Sequence, residues 1–324
     1  MRKLFLILLV FLNFSCVKRP KVFIDGSSTV YPITEAVAED FMWEHRNVNI
    51  TIGVSGTGGG FKKFIRNELD IANASRPIKK AEDEAMAAAG LAYMEIPVAF
   101  DGLAVVVHPD NHWVDYLTVA ELKKIWEPEA QGKVKRWNQV REGWPDEEIH
   151  LFGAGTQSGT FDYFTEAIVG KAKASRGDYT ASEDDNVLVQ GISTDVKALG
   201  YFGLDYYEAN HNILKLVAID DGKGNGPVTP NPQSVRSGIY QPLSRPLLIY
   251  VNVASMDKPE VNRFITYYLS NAPKLVLESG YVPLPEEIYT RLLKRVENRV
   301  PGSIFLTLET SVGIKLEELI QGDE

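Results

Sequence analysis

The chain has 324 residues, 44% of them hydrophobic and 24% charged, with a formal net charge of −9 and a single cysteine. That length accommodates two globular domains with sizeable cores, and the composition excludes a collagen-like repeat, a coiled coil and a disordered chain. The acidic balance excludes a protein that coats nucleic acid through a basic face. One Cys and five scattered His exclude an internal disulfide and a Cys/His metal cluster.

In chain order, the basic start Met1-Arg2-Lys3 precedes an apolar run from Leu4 to Phe14, broken only by Asn13, and then Ser15-Cys16. This pattern predicts a secretory signal over residues 1–16, and the run is too short to span a bilayer. A lone Cys at its end resembles a bacterial lipoprotein signal, in which Cys16 carries the lipid anchor. Asn13 departs from the usual pattern, and a plain cleaved signal is the alternative.

After a linker over 17–21, Val22–Ile24 reads as a strand. Asp25-Gly26-Ser27-Ser28-Thr29 follows as a polar turn, and Ile33, Val37 and Phe41 mark a helix. Asn49–Val54 is a second strand by its Ile/Val/Thr content. It feeds Ser55-Gly56-Thr57-Gly58-Gly59-Gly60 and a helix marked by Phe61, Phe64, Ile65 and Leu69. Ile71–Ala74 is a short strand ending at Ser75-Arg76-Pro77, and Leu103–Val107 is a strong one. Thr118–Trp126 is helical, with Thr118 capping before Glu121. His150–Phe152 enters a Gly/Ser/Thr turn through Ser158-Gly159-Thr160, followed by a helix marked by Phe161, Phe164 and Ile168. Gly200–Gly203 is an apolar turn or strand, and 222–234 is a Gly/Pro/Asn-rich loop. Leu247–Val253 is a strand that could return the chain to the first domain. Val261–Leu269 and Glu286–Val296 are helices, and an acidic amphipathic tail begins near Ser311. Strands alternating with helices predict an α/β fold with mainly parallel pairing.

Three segments repeat one design of strand, small polar turn and helix: Gly26–Thr29, Ser55–Gly58 and Ser158–Thr160. The first amides of a helix lack intrahelical partners and carry the positive end of its dipole, so they favour anions. Glycine lets the main chain approach a ligand, and Ser and Thr hydroxyls add rotatable donors. Three such turns in one cleft would hold a tetrahedral oxyanion mainly through neutral donors, which reconciles an anion site with the net negative charge. Each turn alone also reads as a plain N-cap. Arg76, after the third strand, suits bidentate oxyanion binding or a pair with a surface carboxylate. The aromatic pairs Phe161/Phe164 and Tyr206/Tyr207 read as core or interdomain packing. No P-loop, G-x-S-x-G elbow or H-E-x-x-H occurs.

These segments, together with Asp70-Ile71-Ala72-Asn73-Ala74-Ser75-Arg76-Pro77, Gly200-Tyr201-Phe202-Gly203 and Pro242-Leu243-Ser244-Arg245-Pro246-Leu247, resemble in order and spacing the PstS family of phosphate-binding proteins of the phosphate ABC transporter, over about residues 22–300. The resemblance implies a two-lobed periplasmic-binding-protein type II fold with a two-strand hinge. Lobe one would be 22–107 plus 245–310, lobe two 108–244, and 311–324 a tail. It implies a solute-binding protein, not an enzyme, that needs no cofactor. Such a protein would capture inorganic phosphate at the cell surface or in the periplasm and pass it to permease subunits, with no nucleic-acid partner. Sulfate, tungstate or molybdate capture, and phosphate sensing, are the alternatives. The implied ligands are Ser28, Thr29, Val30 (through its amide), Ser55, Gly56, Thr57, Ser75, Arg76, Ser158, Gly159 and Thr160. Where one branch of the family places an Arg before Ser-Gly-Thr, this chain has Ala154. Where that branch places an Asp that accepts the phosphate proton, it has Arg76. Asp101 is then the candidate acceptor, or a turn residue.

Overall fold

A computed structural model describes residues 20–306 except Gln157 and Glu183; the signal-like segment with Cys16 and the tail from 311 lie outside the described residues. The chain runs β1 (Lys21–Gly26), α1 (Tyr31–Glu44), β2 (Asn49–Gly53), α2 (Thr57–Ile65), β3 (Ile71–Ala74), α3 (Lys80–Ala88) and the long β4 (Tyr93–Val107). It continues through β5 (Tyr116–Thr118), α4 (Val119–Trp126), α5 (Trp137–Val140), β6 (His150–Ala154), α6 (Gly159–Val169), β7 (Thr180–Ser182), α7 (Asp185–Ser193) and β8 (Ala198–Gly203). Then come α8 (Leu204–Asn210), β9 (Lys215–Leu216), β10 (Ala218–Asp220), α9 (Pro232–Arg236), β11 (Ser244–Asn252), α10 (Pro259–Glu278) and α11 (Glu286–Glu297).

Among the described residues, one path of hydrogen-bonded strands runs β2-β1-β3-β11-β4-β8-β6-β7, with β9 against β4; β5 and β10 pair separately. At each end the pairing is parallel: β2, β1 and β3 in the first lobe, β8, β6 and β7 in the second. In the middle it is antiparallel, because β4 leaves the first lobe and β11 comes back the other way. The expectation of mainly parallel pairing therefore gives way to a mixed sheet.

β4 belongs to both lobes. Tyr93–Gly102 pairs with β11, up to Gly102 opposite Ser244, and Leu103–Val107 pairs with β8. Only the second half reads as a strand in the sequence. The first half is interrupted by Pro97, which cannot donate to a ladder, and the pairing register shifts there, opposite Leu247/Leu248. All fifteen residues of β4 are buried, which explains why no polar alternation marks them.

The helices lie where their apolar faces require. Ile33, Val37 and Phe41 of α1 are fully buried against α10, where Phe41 meets Phe264 edge-on with ring centroids 5.4 Å apart. In the second lobe, Phe164 of α6 stacks on Tyr201 of β8 at 3.6 Å, and Trp126 of α4 meets both edge-on. This aromatic core fixes the direction of α6 and hence where its N-terminus points. Thr118 caps α4 as expected, with a reciprocal bond to Glu121. No helix among the described residues is long and apolar enough to cross a membrane.

Candidate functional site

A cleft of about 290 Å³ is lined by Ser27–Thr29, Ser55–Gly58, Ser75, Arg76 and Arg245 on one side, and by Gly159, Asp162, Glu166, Ala172 and Lys173 on the other. It therefore gathers the polar turns after β1, β2 and β3 with the start of α6. These lie at the carboxyl ends of the parallel strands, where open α/β sheets place their ligands.

The first two turns are tied together. The Gly56 amide donates to the Gly26 carbonyl at 2.8 Å. Gly56 caps α2 with φ +76°, a left-handed conformation that favours glycine, and no side chain occupies the capping position. α1 likewise has no side-chain cap at Val30. The N-termini of α1 and α2 thus lack side-chain acceptors. Ser158 behaves differently: its hydroxyl oxygen accepts the Thr160 amide at 3.1 Å, the ordinary N-cap arrangement.

Hydroxyl roles follow from neighbours. Ser55 donates its hydroxyl to Asp25 Oδ1 at 2.6 Å and its amide to the same oxygen at 2.9 Å, while Lys63 pairs with Asp25 Oδ2. Burial pushes the Asp25 carboxyl up, but Lys63 and Ser55 outweigh it and hold it below the usual carboxylate range. With its proton directed at Asp25, Ser55 has only lone pairs left for a ligand. Thr29 is the converse, since its oxygen accepts from Arg245 Nη2 at 3.1 Å and its proton remains free. Thr57 and Ser75 share a contact of 3.2 Å, and the Ser75 amide donates to Thr57 Oγ1 at 3.1 Å.

The two arginines divide the charge. Arg76 borders the cleft, yet its guanidinium is gripped bidentately by Glu82 at 2.8 and 2.9 Å and donates to the Pro77 carbonyl. The carboxylate-paired alternative from the sequence is the geometry found. Arg245, on β11, also lines the cleft, and its partners belong to the site. It reaches Thr29 Oγ1, the Ser75 carbonyl at 3.2 Å and Asp101 Oδ2 at 3.2 Å, and lies 3.7 Å above the Tyr163 ring of the other lobe. Asp101 is 5% exposed and does not line the cleft, because Arg245 is its partner. Burial pushes its carboxyl up, with Arg245 opposing. Sequence reasoning passed over Arg245, Asp162, Glu166 and Lys173. The signal for Arg245 was present: one charge flanked by Ser244 and Pro246 at the head of an otherwise apolar buried strand.

The lobes meet at the cleft wall. A Cβ on Gly159 would lie 2.2 Å from Thr29 Oγ1 and 2.9 Å from Ser28 Oγ. Of the residues predicted as ligands, Ser28, Thr29, Ser55, Gly56, Thr57, Ser75, Arg76 and Gly159 line the cleft. Val30 is fully buried, and Ser158 and Thr160 form the cap of α6. No cluster of three or more His, Cys, Asp or Glu suited to a metal ion occurs among the described residues.

A profile described as a PBP superfamily domain matches residues 18–272. Protein SphX of Synechococcus elongatus is 48% identical over 94% of this chain and 90% of its own length. The phosphate-binding protein PstS of Staphylococcus saprophyticus is 38% identical over 85% of this chain and 83% of its own. The chain belongs to the PstS family of phosphate-binding proteins. Among solved structures, a possible phosphate binding protein from Planctomyces limnophilus matches with TM-score 0.81 and 50% identity, over 86% of this chain and 98% of that one. The PstS-family fold is the two-lobed type II arrangement expected from the motifs. An ABC-type phosphate transport receptor from Vibrio cholerae, 23% identical with TM-score 0.66, shares it as a fold.

Proposed function

We propose that this protein captures inorganic phosphate in the cleft between its lobes and delivers it to the permease of an ABC importer, without catalysing a reaction on it. The observation that carries the reading is the cleft wall itself: the turns that lead into two helix N-termini without side-chain caps, their hydroxyls, and the guanidinium of Arg245, beside an Arg76 already held by Glu82, line a single cavity. Asp101 neutralises the Arg245 guanidinium, so oxyanion binding rests on directed donors rather than on net charge. Phosphate is bound by Ser28, Thr29, Ser55, Gly56, Thr57, Ser75 and Gly159, with Arg245 rather than Arg76 as the principal cation. The hinge lies where β4 exchanges partners between Gly102 and Leu103, a little before the boundary expected at 107. Cys16 anchors the protein by lipid to the outer side of a membrane. The relatives named for phosphate binding support the ligand.

Isothermal titration with inorganic phosphate tests this. The full-length protein binds, Arg245→Ala loses about 100-fold or more in affinity, and Arg245→Lys recovers only part of it, because the planar fork is lost. A melting curve taken in parallel reports the cost of leaving Asp101 unpaired. Absence of phosphate binding by the wild-type protein overturns the reading.

A further inference from the structure

The edges of the Arg245 guanidinium are held by the first lobe. Nε and Nη2 donate to Asp101 Oδ2 at 3.3 and 3.2 Å, Nη2 also donates to Thr29 Oγ1 at 3.1 Å, and Nη1 donates to the Ser75 carbonyl at 3.2 Å. A guanidinium carries its N–H groups in one plane, five in all, so these bonds leave a single N–H, on Nη1, for a ligand. They leave both faces of the plane uncovered. One face is met by the other lobe: Tyr163 of α6, three residues after Thr160, sets its ring 3.7 Å from Arg245 Cζ. Tyr163 is itself buried, and its hydroxyl donates to the Pro242 carbonyl at 2.7 Å. Burial chiefly, against the pull of Arg245, pushes the phenol up, so it keeps its proton and remains a donor. Pro242 lies two residues before β11 begins. Tyr163 therefore holds both the chain entering β11 and the guanidinium that β11 presents.

Building on the phosphate reading of this cleft, we propose that Tyr163 is a positioning residue that couples closure of the lobes to the aim of Arg245. When α6 meets the first lobe, the electron-rich face of the ring meets the cation. It replaces the water that closure strips from the guanidinium and fixes the tilt of the plane, and with it the direction of the remaining Nη1 proton. The second lobe thus supports the cation without contributing a charge of its own to it. When the lobes part, the ring leaves and water returns to the guanidinium. Tyr163 makes no bond to phosphate. It acts on retention rather than capture, because the contact forms only after the ligand has entered, and its loss is read in the dissociation rate.

The test is a double-mutant cycle, read by calorimetric titration and stopped-flow release of inorganic phosphate. Tyr163→Leu loses about tenfold in affinity, nearly all of it as faster release. Tyr163→Phe keeps the ring and stays within about threefold of wild type, with the lost Pro242 bond showing in the melting temperature. In the Arg245→Ala background, Tyr163→Leu costs less than about twofold, because the ring has no cation to face. A loss that persists undiminished in that background shows that Tyr163 acts by packing alone and overturns the inference. Should Tyr163→Leu fail to fold, Tyr163→pentafluorophenylalanine keeps the shape of the ring and withdraws electrons from its face. It should bind about tenfold more weakly than Tyr163→Phe, and equal affinity of the two overturns the inference while leaving the phosphate reading standing. A wild-type protein that binds no phosphate sinks both.

Discussion

The contrast between Arg76 and Arg245 shows how far a residue's chemistry depends on who holds it. Both are guanidinium groups that line the same cavity. Glu82 grips Arg76 through both oxygens while accepting the Lys79 amide at the start of α3. Arg76→Ala should therefore weaken phosphate binding at least tenfold less than Arg245→Ala, and should act mainly on stability. The two side chains are 23% and 20% exposed, so the loss is on the order of 1–2 kcal/mol at pH 7. Burial pushes the Glu82 carboxyl up, but Arg76 and the Lys79 amide hold it below the ordinary value of 4.5. Its stabilisation is therefore present above that value and is lost as pH falls through the lower folded one. The deficit of the variant, followed by urea denaturation, should shrink below about pH 4. Sequence reasoning placed Arg76 at the site and passed over Arg245. It did not reveal Glu82 as a partner, since a carboxylate six residues away has no fixed direction until α3 is folded.

At the scale of elements, the polar turns were legible because each needs a short-range pattern: a β-branched strand, small residues, then an apolar period of 3.6. Ser55-Gly56-Thr57 and Ser28-Thr29 came to the cleft as expected. What was not legible is long-range. The first half of β4 hid behind Pro97, and α10 runs on past Leu269 through Pro273. Antiparallel pairing of β4 with β11 depends on where the chain goes over the intervening residues, which no local period encodes. Asp162 was missed for a similar reason: at helical spacing it reads as a solvated position, and only the folded cleft brings it beside the polar turns. The start of α6 is also where the lobes touch. Gly159→Ala suits a helix, yet its methyl would meet Thr29. Phosphate affinity should fall by about tenfold or more because the closed state is disfavoured, while the melting temperature without ligand stays within about 2 °C. Titration together with small-angle scattering, with and without phosphate, checks this; full compaction of the variant with ligand would refute it.

For the whole molecule, the back of the hinge matters as much as the cleft. A second cavity of about 340 Å³ opens there between Leu204, Asp205 and Arg236 of the second lobe and Gly280, Tyr281 and Val282 of the first, beside Gly102. Burial, with Asp101 adding, pushes the Asp205 carboxyl up to about 6 from 3.8. The folded state then holds this proton more tightly than the unfolded one, so stability falls as pH rises across that interval. Asp205→Asn removes the buried charge. It should be more stable than wild type by roughly 1–3 kcal/mol above pH 6 and equal to it below about pH 4. Melting curves across pH 4–8 read the difference directly, and a constant offset would show that the side chain acts by packing alone.

The pairing of Gly102 with Ser244 has an architectural meaning. Up to that pair, β4 and β11 are the two arms of an ordinary hairpin, and residues 103–243 occupy the place of its turn. The second lobe is in this sense an enormous loop, inserted once into a first lobe whose own strands are complete without it. Excising it and joining Gly102 to Ser244 through a two-residue turn would leave β2, β1, β3, β11 and the first half of β4 as an unbroken sheet.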